Sequence, residues 1–152
     1  MAAFDYRGPV AAGIAAAKLR GARSGWPALA APLAARLVDL EVAVDAVTYV
    51  TTPTVRTRER GGDHAAGLAR TVAGTLQVPA VRLLDAVAGS GGDRYRARRA
   101  LPGSDLLLID DVVTTGATAW RAAAALRRAG AGRITLAVLA RAGTHPLGAV
   151  QR

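Results

Sequence analysis

The stretch Leu106-Leu107-Leu108-Ile109-Asp110-Asp111-Val112-Val113-Thr114-Thr115-Gly116-Ala117-Thr118 constrains this chain more than any other. Four consecutive large aliphatics read as a strand buried on both faces, the pattern of a parallel sheet rather than a half-solvated antiparallel one. Two adjacent carboxylates follow, so the spacing places them just past the strand's carboxyl end, where open α/β sheets bind ligands. A turn of small and hydroxyl-bearing residues comes next. It leads into Trp120-Arg121-Ala122-Ala123-Ala124-Ala125-Leu126-Arg127-Arg128-Ala129-Gly130, an alanine-rich helix stopped by glycine. The first N–H groups of such a helix face the mouth of the sheet and favour an anion, most simply a phosphate.

The flanking segments supply the partners a parallel strand needs. Residues 8–20 read as a short helix, with Pro9 in its first turn, Val10, Ile14, Ala17 and Leu19 among alanines, and Lys18 and Arg20 at its end. After a loop at 21–25, Pro27 opens a second helix whose Leu29, Leu33, Leu37 and Leu40 recur at helical spacing and should face the core. Residues 43–50 carry the β-branched and aromatic side chains of a first central strand, which ends in Thr51-Thr52-Pro53-Thr54-Val55 and is followed by Arg56, Arg58 and Arg60. Asp63 can cap a helix running through 68–76, and a second strand is expected over 80–84. Residues 85–102 contain no convincing element, only a glycine-rich segment and the basic run Arg94-Tyr95-Arg96-Ala97-Arg98-Arg99. A loop of that length in a compact domain points to function or disorder. With a last strand over 133–139, the chain alternates strand and helix. That order implies an α/β fold with an open parallel sheet, right-handed crossovers and flanking helices. No repeat or linker interrupts it, so residues 1–152 form one domain: N-terminal helices at 1–42, a core at 43–140 and a tail at 141–152.

Composition narrows the classes. A hydrophobic fraction of 51% argues against disorder, but with 4% aromatics the core must be built from small aliphatics in close helix packing. The net charge is +9, and Lys18 is the sole lysine, so nearly all the positive charge is arginine, whose fork suits phosphate. The absence of cysteine excludes disulfides and a thiolate zinc site in this chain. The segment before Gly8 lacks a basic region followed by an apolar core, and no apolar run approaches the roughly 18 residues of a membrane span, so a cytoplasmic protein is expected. His64 and His145 read as loop or helix-surface residues, Trp26 and Trp120 as packing residues beside helix starts, and Tyr95 as a candidate for stacking on a base.

Two nucleotide-site templates fail: no G-x-x-x-x-G-K-[ST] occurs, and no G-x-G-x-x-G follows a first strand. A phosphoacceptor domain, whose acidic pair lies near its start, does not suit acids that come after two earlier strands. The stretch 107–118 closely resembles the type I phosphoribosyltransferases. That resemblance implies that Asp110 and Asp111 hold the ribose hydroxyls of phosphoribosyl pyrophosphate, while Thr114, Thr115, Gly116, Ala117 and Thr118 cradle the 5′-phosphate. It further implies Mg²⁺ carried with the ligand rather than in a dedicated protein site.

Read with Arg56-Thr57-Arg58-Glu59-Arg60-Gly61-Gly62-Asp63-His64, Lys18-Leu19-Arg20-Gly21 and Leu139-Ala140-Arg141, nearly the whole chain resembles the ComF family, phosphoribosyltransferase-like proteins linked to competence and DNA uptake. By that resemblance Thr51, Thr52, Thr54 and Arg56 would meet pyrophosphate, and Arg94, Arg96, Arg98 and Arg99 would lie on a flexible loop that closes over the substrate. Three departures stand out. The family's amino-terminal zinc module is absent, which is consistent with either a truncated start or a member working without it; residues 60–64 differ from the usual segment; and residues 85–102 lack the usual glutamine-to-asparagine signature. The resemblance therefore implies a protein that binds phosphoribosyl pyrophosphate or a ribose 5-phosphate nucleotide and transfers phosphoribosyl to a nitrogen nucleophile. A second reading is a noncatalytic binding module of the DNA-uptake machinery that contacts single-stranded DNA or DNA-processing proteins. Both leave homo-oligomerisation open.

Overall fold

The computed structural model describes residues 1–19, 26–51, 64–87 and 94–143. In chain order its elements are β1 (Ala2–Asp5), α1 (Gly8–Leu19), α2 (Trp26–Asp39), β2 (Ala46–Tyr49), α3 (His64–Leu76), β3 (Leu84–Ala86), β4 (Tyr95–Ala97), β5 (Leu106–Val113), α4 (Ala117–Arg128) and β6 (Ile134–Arg141). Four strands form a parallel sheet in the order β1-β6-β5-β2, and β3 and β4 form a separate antiparallel ribbon. No helix among the described residues is long and apolar enough to cross a membrane.

β5 is central because its aliphatic run can be buried from both sides. Leu107 and Ile109 pack with Val47, Ala137 and Leu139 against Ile14 of α1, Leu33 and Leu37 of α2, and Leu68 and Val72 of α3. Leu106 and Leu108 face the other way, onto Ala122, Ala125 and Leu126 of α4 and onto Leu83, Leu84 and Tyr95 of the ribbon. This is the period-2 alternation of a strand, and burying each such side chain contributes roughly 1.5–3 kcal/mol.

The expected helices are present, and Leu33 and Leu37 of the second helix are fully buried, whereas Leu40 lies beyond its end and is 45% exposed. Other expectations need correction. The first four residues after Met1 form β1, which borrows its order from β6 through the pairs Ala2 with Val138 and Phe4 with Ala140. The strand expected over 80–84 shrinks to a single bridge between Ala80 and Val47, because Val81 N–H donates to the Val47 carbonyl at 2.8 Å and the chain then leaves the sheet. The stretch 85–102 is not structureless: its flanks zip together as β3 and β4, pairing Leu84 with Ala97 and Ala86 with Tyr95. Tyr95 is buried beneath that ribbon, so its ring is packing rather than a stacking platform. Trp26 is buried as expected, but Trp120 is 66% exposed. His64 is not a surface residue; it is buried at the start of α3, its ring 5.3 Å from that of Trp26. Asp63, His145 and most of the tail lie outside the described residues.

Candidate functional site

The sheet has a closed end and an open one. At the amino-terminal ends of β2, β5 and β6, Asp105 N–H donates to Asp45 Oδ2 at 2.7 Å, Asp45 N–H donates to the Asp105 carbonyl at 2.8 Å, and Arg133 N–H donates to Asp105 Oδ1 at 2.8 Å. The Arg133 guanidinium closes the cluster on Asp105 Oδ2 at 2.9 Å and on the Ala43 carbonyl at 3.0 Å. These carboxylates tie three strand starts together.

The open end is made by unequal strand lengths. β2 pairs with β5 only as far as Tyr49 opposite Ile109, whereas β6 stays paired with β5 through Arg141 opposite Val113. The acids therefore do not follow the strand, as the sequence suggested; they lie within β5, on the part that has no strand partner on its β2 side among the described residues. Successive residues of a strand project to opposite faces, so Asp111 shares the face of Leu107 and Ile109, and Asp110 shares that of Leu106 and Leu108. Each carboxylate is steadied by the next peptide group: Asp111 N–H donates to Asp110 Oδ1 at 2.9 Å, and Val112 N–H donates to Asp111 Oδ1 at 2.6 Å.

The turn follows at once. Thr114 and Thr115 are exposed, and Gly116 takes φ 79° as the residue before α4, a left-handed conformation that suits glycine. Gly116 has no side chain to cap α4. Thr115 Oγ1 lies 3.4 Å from Ala117 N, a long contact, and the Gly116 carbonyl accepts from Trp120 N–H at 2.8 Å. Ala117 and Thr118 begin the helix and are exposed, so the first-turn N–H groups stand at the open edge with the positive end of the helix dipole.

Of the other sequence-predicted residues, Thr51 lies two residues past the end of β2, next to Val50, whose N–H donates to the Ile109 carbonyl at 2.9 Å. It is 2% exposed, and its Oγ1 has no hydrogen-bond partner among the described residues. Thr52, Thr54 and Arg56 lie outside the described residues. Arg94, Arg96, Arg98 and Arg99 are exposed on and beside β4, and Arg98 is engaged with Asp85 at 2.8 Å, an oxygen it shares with Arg82 at 2.8 Å. Sequence reasoning missed Lys18 as a site residue. Its ammonium reaches from the last turn of α1 to Asp111 Oδ2 at 2.6 Å. The available signal was that it is the one lysine in an arginine-rich chain.

The acid pair of β5 thus leads directly through a glycine turn into α4. The chain belongs to the phosphoribosyl transferase domain family, whose pattern it matches over residues 10–147. Its fold is similar to that of a purine phosphoribosyltransferase from Pyrococcus horikoshii Ot3, with a TM-score of 0.54 and 19% identity over 80% of this chain and 78% of that one. It is also similar to part of the glutamine phosphoribosylpyrophosphate amidotransferase from B. subtilis, with a TM-score of 0.56 and 20% identity over 75% of this chain but 26% of that one. Leishmania donovani UMP synthase shares the fold at a TM-score of 0.50 and 19% identity, over 76% of this chain and 22% of that one. These identities establish a common fold. No curated protein matches the sequence.

Proposed function

We propose that the chain binds phosphoribosyl pyrophosphate, or a nucleotide carrying ribose 5-phosphate, across the open edge of β5, and that it transfers the phosphoribosyl group to a nitrogen nucleophile. The observation that carries this reading is the unbroken succession along one strand of Asp110, Asp111, the turn at 114–116 and the start of α4, beside an edge that β2 leaves uncovered. A ribose lying across that edge can meet carboxylates from both faces of the strand. Asp110 and Asp111 would accept from its 2′- and 3′-hydroxyls, since ionised carboxylates only accept. Thr114, Thr115, Gly116, Ala117 and Thr118 would hold the 5′-phosphate through backbone N–H groups and hydroxyls. The buried hydroxyl of Thr51 would serve the pyrophosphate, together with Thr52, Thr54 and Arg56.

Mg²⁺ would come with the ligand, held by its ribose and pyrophosphate oxygens and by water, with the charges of Asp110 and Asp111 beside it. Bound there, the ion would offset charge on the departing pyrophosphate. The chain's own part is positional: the turn and the acids fix the two ends of the ribose, so that the C1–oxygen bond to pyrophosphate breaks as the incoming nitrogen bonds to C1, through an oxocarbenium-like state. Within the family, the ComF group fits best, on Lys18-Leu19-Arg20-Gly21 and residues 56–64. The exposed Arg94, Arg96 and Arg99 favour a second reading, a noncatalytic module of the DNA-uptake machinery.

One assay separates the two readings. Incubation with phosphoribosyl pyrophosphate, Mg²⁺ and a panel of nitrogenous bases should release pyrophosphate with at least one base. Tight binding without release from any base rejects transfer and leaves the binding module.

A further inference from the structure

The ion pair between Lys18 and Asp111 joins two parts of the molecule that the fold has no other need to join by charge. Lys18 sits one residue from the end of α1, whose Ile14 and Ala17 are already anchored in the core, and its side chain stretches to a carboxylate on β5. The pair is neither sealed nor fully solvated: the side chains are 31% and 18% exposed. It also leaves capacity on both sides. Asp111 uses Oδ1 for the Val112 N–H and Oδ2 for Lys18, and each oxygen has a second lone pair. The ammonium has three donors, of which Asp111 takes one.

The choice of lysine is informative. The chain has 20 lysines and arginines, and every one except Lys18 is arginine. An arginine here would form a fork across both carboxylate oxygens and fill the acceptor positions a ribose hydroxyl needs. A lysine holds one oxygen as a point charge and can turn its other donors elsewhere.

We propose that Lys18 is a ligand-contacting residue of this site, the cation that meets the anionic substituent on C1 of a ribose whose hydroxyls lie on Asp110 and Asp111. The proposal rests on the reading of the site given above. With the ribose held by its diol and its 5′-phosphate in the turn at 114–118, the remaining charged group is the one on C1, a single carbon from the 2′-hydroxyl. Lys18 stands directly beside the carboxylate that takes that diol, so the ammonium and the C1 phosphates are neighbours. A ribose 5-phosphate that lacks the C1 diphosphate gives Lys18 no such partner.

Calorimetric titration of the full chain with phosphoribosyl pyrophosphate and with ribose 5-phosphate, each with Mg²⁺, tests this in the unaltered protein, Lys18→Met and Lys18→Arg. The unaltered chain should prefer the diphosphate. Lys18→Met should reduce that preference by about tenfold or more, because it removes one charge-assisted contact made by only one of the two ligands. Lys18→Arg should keep the preference while weakening both ligands, as its fork occupies Asp111. The preference is a ratio within one variant, so partial loss of folded protein cancels. An unchanged ratio in Lys18→Met, or no preference in the unaltered chain, overturns the role of Lys18 alone; no binding of either ligand by the unaltered chain overturns the ribose site and this role together.

Discussion

At one end of the sheet, Asp45 and Asp105 spend their carboxylate oxygens on backbone N–H groups and on Arg133, tying the starts of β2, β5 and β6 to one another. At the other end, Asp110 and Asp111 occupy one strand; each accepts from the next peptide N–H, and Asp111 also pairs with the Lys18 ammonium. The same residue type thus ties the sheet together at one end and, on the proposed reading, receives the ligand at the other. What differs is strand length: β2 begins level with β5 at Leu106 but stops at Ile109, leaving the acids beyond its reach. Asp45 and Asp105 stand where the starts of β2, β5 and β6 meet, whereas Asp110 and Asp111 lie past the last rung that β2 shares with β5.

Substitutions at glycines of the two ends should separate stability from binding. The largest loss of stability is expected at the closed end, with Gly132→Ala. A Cβ there would stand 2.8 Å from the Gly103 carbonyl oxygen and 2.9 Å from Asp105 Oδ1, so backbone must move. Urea unfolding should show a loss of about 2 kcal/mol, with affinity for phosphoribosyl pyrophosphate unchanged in the folded protein. A smaller loss is expected at the open end, with Gly116→Ala. Its φ of 79° disfavours a side chain by roughly 1 kcal/mol, and the same strain displaces the first N–H groups of α4, so ligand affinity should fall by about tenfold. Equal effects of the two substitutions on binding would dissolve the distinction between the ends.

Much of this arrangement could be read from local pattern. Leu106 to Ile109 can be satisfied only by burial on both faces, and they are buried in that way; the alanines of α4 and the glycine at 130, with φ 95°, mark a helix and its stop. The elements that escaped detection owe their form to distant partners. Ala2-Ala3-Phe4-Asp5 has no strand signature of its own and becomes β1 because the edge of β6 is there to pair with. The ribbon of β3 and β4 is three residues on each side, too short for a period to show, and is steadied by Asp85 with Arg82 and Arg98. The extension of β5 through the acids depends on β6 being eight residues long, which local sequence at 110–111 cannot report. Lys18 was visible as a compositional oddity, but its partner lies across the fold. His64 was misread because a polar residue at a helix start is usually exposed, and here Trp26 covers it.

The claim on which the rest depends is that the acids of β5 bind the ribose diol. It is tested most directly by calorimetric titration of phosphoribosyl pyrophosphate, with Mg²⁺, into the unaltered chain and into Asp111→Asn. Asparagine keeps the size of the side chain and can still accept the Val112 N–H. The protein should still fold, with its melting temperature lowered by a few degrees as the partly exposed pair with Lys18 is lost, roughly 1 kcal/mol, while affinity falls by tenfold or more, because a charged acceptor becomes a neutral one. Equal affinity in the two proteins would contradict the account.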